Sequence, residues 1–188
     1  EQERLAQRDR DSARRLLDAV LSAGDWVLTP EDAYYPSLLL GLPDFPLVLY
    51  GRGEMPDLEH LPTVGMVGTR KCSDEGRRAA GDIARGALYA GGLTVAVQAC
   101  GLDVDYPALN REMRFRILRG QGALLSEYPY GSPPMRHHFP VRNRLIGGLS
   151  LGVCVVEAPR HSGSLITARL AAEQGRDVFV VPGAWDSV

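Results

Sequence analysis

Residues 137–183, HHFPVRNRLIGGLSLGVCVVEAPRHSGSLITARLAAEQGRDVFVVPG, are the stretch whose reading decides the fold. They divide into an arginine-bearing helix, a strand, a Ser/Gly turn, an amphipathic helix and a second strand. VCVVEA and DVFVVPG are short valine-rich apolar runs, the composition of parallel strands covered on both faces. Between them, SGSLITARLAAEQG opens on capping residues and closes on Gly175, a left-handed stop. A strand, turn and helix in that order leave free backbone N–H groups at the helix N-terminus, near the carboxyl end of the sheet. That is a ready site for an anion. The flanking chain adds charge, because residues 128–156 hold no Asp or Glu but include Arg136, Arg142 and Arg144. The stretch reads as a surface for a phosphate backbone or a nucleotide, not as a metal centre or a nucleophile.

Working back toward the N-terminus, the same alternation begins at Pro62. PTVGMVG predicts a buried strand, TRKCS a tight loop, and Asp74–Tyr89 a helix capped by Ser73 and closed by Gly91 and Gly92. Residues 93–98 predict another strand, CGLDVDYP a loop, then a charged helix to about residue 119 and a strand in GALLSEY. A proline-rich loop leads into the arginine helix. The expected class is α/β, an extended Rossmann-like, doubly wound and mostly parallel sheet. Ahead of it, residues 1–23 predict a helix with a stripe of Ala13, Leu16, Leu17, Val20 and Leu21, stopped by Gly24. A compact segment with prolines at 30, 36, 43 and 46 follows and ends in the apolar run LVLY. The expected organisation is a small helical appendage and linker over 1–56 and a binding domain over 57–188.

Composition bounds the class. At 188 residues, 45% hydrophobic and 23% charged, the chain has the profile of a soluble globular domain able to bury a core. The net charge of −2 does not advertise a polyanion ligand, but charge segregation rather than net charge steers one. Three cysteines at 72, 100 and 154, far apart, argue against a disulfide or zinc framework and for a reducing compartment. No apolar run is long enough for a membrane span, and the charged N-terminus is not a signal peptide. A cytoplasmic protein is expected.

Two clusters carry candidate chemistry. Gly68, Thr69, Arg70 and Lys71 place two cations and a hydroxyl on a strand-to-helix turn, without the spacing of a dinucleotide fingerprint. FPVRNR puts Phe139 beside Arg142, Asn143 and Arg144; a ring that stacks a base next to guanidinium groups that hold phosphate suits single-stranded nucleic acid. Other groups read as structural. His137 and His138 are adjacent and expected to point apart, so they make no metal pair. HSGS, residues 161–164, lacks the nucleophile elbow and reads as a helix cap. Glu127, Glu157 and Glu173 are carboxylates that the sequence cannot bring together, and Asp103 and Asp105 either position a ribose or cap a turn. No cofactor, metal or catalytic group is expected.

VGTRKCS, GRRAA, CGLDVDYPALN, LLSEYP, HFPVRNRLIGGLS and VVEAPRHSGSLITARLAAEQGRDVFVVPG, in that order, resemble the DNA processing protein A (DprA/Smf) family over about residues 33–183. The resemblance implies an extended Rossmann core, a homodimer, binding of single-stranded DNA in natural transformation, and help in loading the RecA recombinase onto that strand. It places Gly68, Thr69 and Arg70 at a phosphate-binding turn with Lys71 nearby. It places Phe139, Arg142, Asn143 and Arg144 along the DNA groove, and Ser162, Gly163, Ser164 and Thr167 at a second anion-binding turn. The N-terminal segment resembles the family's helical SAM-like appendage, and a C-terminal winged-helix-like module of many members has no counterpart here.

One departure stands out. The family carries a further βα unit between the strand that starts GGLTV and the one that reads TVAV, whereas here GGLTVAVQACGLD fuses the two contexts. The expectation is that a stretch is missing between residues 93 and 97, with 93–95 and 96–98 belonging to two parallel strands. Related Rossmann-like enzymes, the LOG-type nucleotide phosphoribohydrolases, are the competing class; they carry P-G-G-x-G-T-x-x-E where this chain reads RHSGSLITA. A recombination scaffold with an incidental basic surface is the third reading.

Overall fold

The computed structural model describes residues 10–160 and 162–183; expectations for residues 1–9, for His161 of HSGS and for residues 184–188 lie outside the described residues. The strands are β1 (Trp26–Leu28), β2 (Leu49–Gly53), β3 (Val64–Val67), β4 (Val95–Val97), β5 (Ala123–Ser126), β6 (Gly152–Val155) and β7 (Asp177–Val180). The helices are α1 (Arg10–Ser22), α2 (Ser37–Leu40), α3 (Asp74–Tyr89), α4 (Arg111–Arg119, entered through a 3-10 turn at Ala108–Asn110), α5 (His138–Gly148) and α6 (Gly163–Glu173). The α/β class read from the sequence is the class observed. Gly24 and Gly175 both carry the left-handed backbone that ends a helix, with φ of 76° and 72°.

The strands form two sheets. One has the order β1-β2-β5-β4, with β1, β2 and β5 antiparallel and β4 parallel to β5; the other is the parallel set β3-β6-β7. The residues ahead of 57 are therefore joined to the rest through the sheet, since Gly51 lies opposite Leu125 across the β2–β5 pair. Strand alternation explains how. Leu49 and Leu125 face one side and pack with Tyr35, Leu39, Leu42, Leu145 and Leu149. Tyr50 and Leu124 face the other and pack with Val20 of α1 and Leu102. Gly51 is obligatory at this joint, because a Cβ there would come within 2.0 Å of the Trp26 indole, whose Nε1 donates to the Gly53 carbonyl at 2.8 Å. Leu145, fully buried, ties α5 into the first cluster, and its truncation to Ala costs roughly 2–5 kcal/mol by the usual cavity effect.

The expected break between residues 93 and 97 does not occur as two strand pieces. Val95, Ala96 and Val97 form one strand in register with Ala123, Leu124 and Leu125, and the pairing extends on both sides. Ala123 N–H donates to the Thr94 carbonyl and Gln98 N–H to the Leu125 carbonyl, at 3.1 and 2.7 Å. The physical reason is that Thr94 before the strand and Gln98 after it both bond to β5, the same neighbour that Val95–Val97 lie in register with. The consequence lies elsewhere: β4 and β3 are both left at the edges of their sheets.

Candidate nucleic-acid interface

The turn after β3 is held by its own backbone. Thr69 N–H donates to the Glu157 carbonyl at 2.8 Å, and Lys71 N–H donates to Thr69 Oγ1 at 3.3 Å. Gly68 meets the residues after β6 at ordinary contact distances, so packing there does not demand a glycine. What the turn offers to solvent is two exposed cations, Arg70 and Lys71. The Arg70 guanidinium lies 4.9 Å from the centroid of the Phe139 ring, a cation–π arrangement that joins the two clusters the sequence kept 69 residues apart. Tyr106 adds a second ring, 6.0 Å from Phe139 and tilted by 54°.

The N-terminus of α3 is already filled. Glu157, just beyond β6, accepts from Ser73 N–H at 3.2 Å through Oε1 and at 3.0 Å through Oε2, and from the Ser73 hydroxyl at 2.7 Å. Ser73 Oγ in turn accepts the Gly76 N–H at 3.0 Å, the N-cap bond expected of it. A Cβ on Gly76 would fall 2.0 Å from Glu157 Oε2, so the glycine makes room for the carboxylate. The Glu157 carboxylate thus occupies the N-terminus of α3, next to the turn that the sequence reading assigned to phosphate.

Along α5 the four expected groove residues part company. Phe139 faces the Arg70 side. The Arg142 guanidinium donates to the Val97 carbonyl and, at 3.2 Å, to Asn143 Oδ1. Burial first, and the Arg70 charge second, pull the Arg142 pKa downward. Asn143 is buried and donates to the Gly163 carbonyl at 3.3 Å, fastening α5 to the start of α6. Arg144 turns inward. It pairs with Asp44 at 2.7 Å and with Glu127 at 2.9 Å, and is 9% exposed. Burial raises the Glu127 pKa, and the Arg144 charge opposes that shift.

At the second turn, Ser164 and Thr167 are buried, and Thr167 Oγ1 donates to the Gly163 carbonyl at 3.4 Å. Gly163 is exposed, and Ser162 Oγ is a buried hydroxyl with no hydrogen-bond partner among the described residues. The histidines do not point apart as expected. His138 stacks on Tyr128 with ring centroids 4.0 Å apart, and His137 meets His138 edge-on at 4.5 Å. Tyr106, the Tyr128–His138 stack and the placement of Glu157 had no signal in the sequence, since each depends on a contact between distant segments.

The chain matches the family described as DNA recombination-mediator protein A in two stretches, residues 26–87 and 83–188. It is 43% identical over 185 residues to the protein Smf of Synechocystis sp., which spans 85% of this chain and 46% of the relative. It is 39% identical over 175 residues to the DNA processing protein DprA of Streptococcus pneumoniae, covering 81% of this chain and 61% of the relative. The chain spans about half the length of the curated relatives it matches. Among solved structures, the Streptococcus pneumoniae DNA processing protein A superposes with a TM-score of 0.85 at 35% identity, over 99% of this chain and 71% of that one. The Helicobacter pylori protein, described for its single-stranded DNA binding mode, gives 0.77 at 28% identity, over 85% of this chain and 82% of that one.

Proposed function

The chain belongs to the DNA recombination-mediator protein A family, and on that premise we propose that it binds single-stranded DNA across the surface formed by Arg70, Lys71, Phe139 and Tyr106. One observation carries the reading: the Arg70 guanidinium lies over the Phe139 ring. A cation that neutralises phosphate and a ring that stacks a base are then within one nucleotide of each other. Arg142, Ser162 and Gly163 extend the path. Asn143, Arg144, Ser164 and Thr167 support it from beneath, holding α5 and the start of α6 in position rather than meeting the strand. The single-stranded DNA binding for which the Helicobacter pylori structure is described supports the same assignment.

The binding is read as non-catalytic. The three carboxylates weighed as catalytic candidates are engaged: Glu127 with Arg144, Glu157 with Ser73, and Glu173 with Arg169 at 3.4 Å. A homodimer is part of the proposal, supported by the exposed apolar side chains of Leu165, Ile166, Phe179 and Val180 along α6 and the edge strand β7. Presentation of the bound strand to the RecA recombinase follows from the family resemblance. The deciding experiment is fluorescence anisotropy with a short oligothymidylate at two salt concentrations, beside a nucleotide-hydrolysis assay. Salt-dependent binding without hydrolysis is expected; hydrolysis of a nucleoside monophosphate without oligonucleotide binding would overturn the reading in favour of an enzyme.

A further inference from the structure

The face of the four-stranded sheet opposite α5 carries α1 and α4, whose Leu16, Val20, Ile117 and Leu118 pack there with Leu124. Beside α4 on this face lies a cavity of about 250 Å³. Its lining runs from the buried Leu102 and Leu124 through Leu118 to Phe115, which is 52% exposed at the mouth. The volume is below that of an ordinary small-molecule pocket, roughly 300–1,000 Å³, and has room for one planar ring. A buried apolar wall leading to an exposed aromatic is an unusual use of a solvent-facing helix. Leu109 and Met113, at 93% and 56% exposed, continue the apolar surface outward.

The charge on this helix is one-sided. α4 holds four arginines against the single Glu112. Arg111, Phe115 and Arg119 fall on successive turns and all are exposed, so the ring stands one turn from a guanidinium on either side. The chemistry of the Arg70–Phe139 pair is repeated there. Countercharges near the cavity are already committed. Arg111 and Arg114 share the one carboxylate of Asp105, Arg52 is neutralised by Asp25 at 2.7 Å, and Asp103 turns both oxygens to the Gly131 N–H at 2.9 Å. Arg116 and Arg119 have no carboxylate partner among the described residues.

One loop joins this face to the surface around Phe139. Residues 102–105 line the cavity, and the next residue, Tyr106, places its ring 6.0 Å from that of Phe139. Arg114 of α4 fixes the junction by donating to the Tyr106 and Pro107 carbonyls at 2.9 and 3.3 Å. We infer that α4 and its cavity form a second site for single-stranded DNA, reached from the first by way of Tyr106. Phe115 and the cavity take one base, and Arg111 and Arg119, about 12 Å apart along the helix, hold the phosphates around it. An arginine face alone would suit any polyanion. The cavity specifies a single strand, because a base stacked inside a duplex cannot enter it without being extruded. The inference rests on the DNA-binding reading above and lengthens the path of the bound strand.

The test uses the full chain and fluorescence anisotropy with two oligothymidylates, about 6 and about 20 nucleotides long, one too short to reach both sites. Phe115→Ala should weaken the long oligonucleotide about tenfold and leave the short one unchanged, whereas Phe139→Ala should weaken both. Arg119→Ala should lower the slope of log affinity against log salt by about 0.7 for the long oligonucleotide only. Parent-like affinity for the long oligonucleotide in a folded Phe115→Ala variant would overturn the second site, as would equal losses at the two lengths. Arg119 is exposed, so the salt series decides the question even if Phe115→Ala does not fold; an unchanged slope overturns the site. In each of these cases the short oligonucleotide still binds the parent and the first site stands. A parent protein that binds neither length would refute the DNA reading and the second site with it.

Discussion

The carboxylate of Glu157 accepts both the backbone N–H and the hydroxyl of Ser73, at 3.0 and 2.7 Å to Oε2. It therefore satisfies the donors at the start of α3 that would otherwise attract an external phosphate. Glu157→Ala should free that helix end and raise oligonucleotide affinity about twofold to fivefold at low salt, while costing about 1 kcal/mol of stability. Anisotropy titrations and urea unfolding measure the two effects. A loss of affinity in the folded variant would mean that the carboxylate supports binding instead of competing with it.

Arg70 and Phe139 should fail differently. Arg70→Ala removes a phosphate contact, so the slope of log affinity against log salt should fall by about 0.7 for a single strand. Phe139→Ala should cost roughly 1–3 kcal/mol of binding at every salt concentration and leave the slope alone. A salt series on both variants with the same oligothymidylate separates charge from stacking.

Arg144 is a structural residue by this geometry. Arg144→Ala strands Glu127, whose side chain is mostly buried, without its counter-charge. A loss of roughly 3–5 kcal/mol in unfolding free energy is expected, with no change in the salt slope of whatever folded protein remains. Denaturant unfolding reads the first quantity. A stable Arg144→Ala variant with a reduced salt slope would return this arginine to the DNA groove.

Glu127 makes stability depend on pH. Burial raises its folded pKa above the ordinary 4.5, so the folded state holds this proton more tightly than the unfolded chain. Its contribution is complete below the unfolded pKa and is lost as pH rises through the raised folded value. Against a Glu127→Gln reference, the unfolding free energy of the parent should therefore decline as pH rises from about 4 toward neutrality. A parent that gains stability relative to Glu127→Gln as pH rises would contradict the assignment.

The edge strand β7 bears on assembly. Phe179 and Val180 are 55% and 68% exposed, on a strand with an open side. Phe179→Asp should convert a dimer to a monomer in light scattering at micromolar concentration, with the circular dichroism spectrum unchanged. A parent protein that is already monomeric under those conditions would remove the homodimer from the proposal.

Local pattern alone determined much of this protein. The valine-rich runs became β6 and β7, Ser73 caps α3, and Gly24 and Gly175 stop helices, because short-range sterics and backbone hydrogen bonding act over a few residues. Phe139, Arg70 and Lys71 were legible only as candidate binding groups from their residue types, and the fold brings Arg70 over the Phe139 ring. Tertiary structure decided which polar groups remain available. Arg144 and Asn143 sit in the same helix as Phe139, yet the rotation of α5 against β5 and α6 buries them beside Glu127 and Gly163. Glu157 reaches Ser73 across 84 residues. Such pairings are set by how elements pack, and a linear pattern carries no information about which face of a nearly uniform helix meets the core. The division into two sheets has the same origin. GGLTVAV reads equally well as one strand or the remains of two, and only pairing with Ala123, Leu124 and Leu125 fixes Val95, Ala96 and Val97 as a single strand whose outer edge lies open.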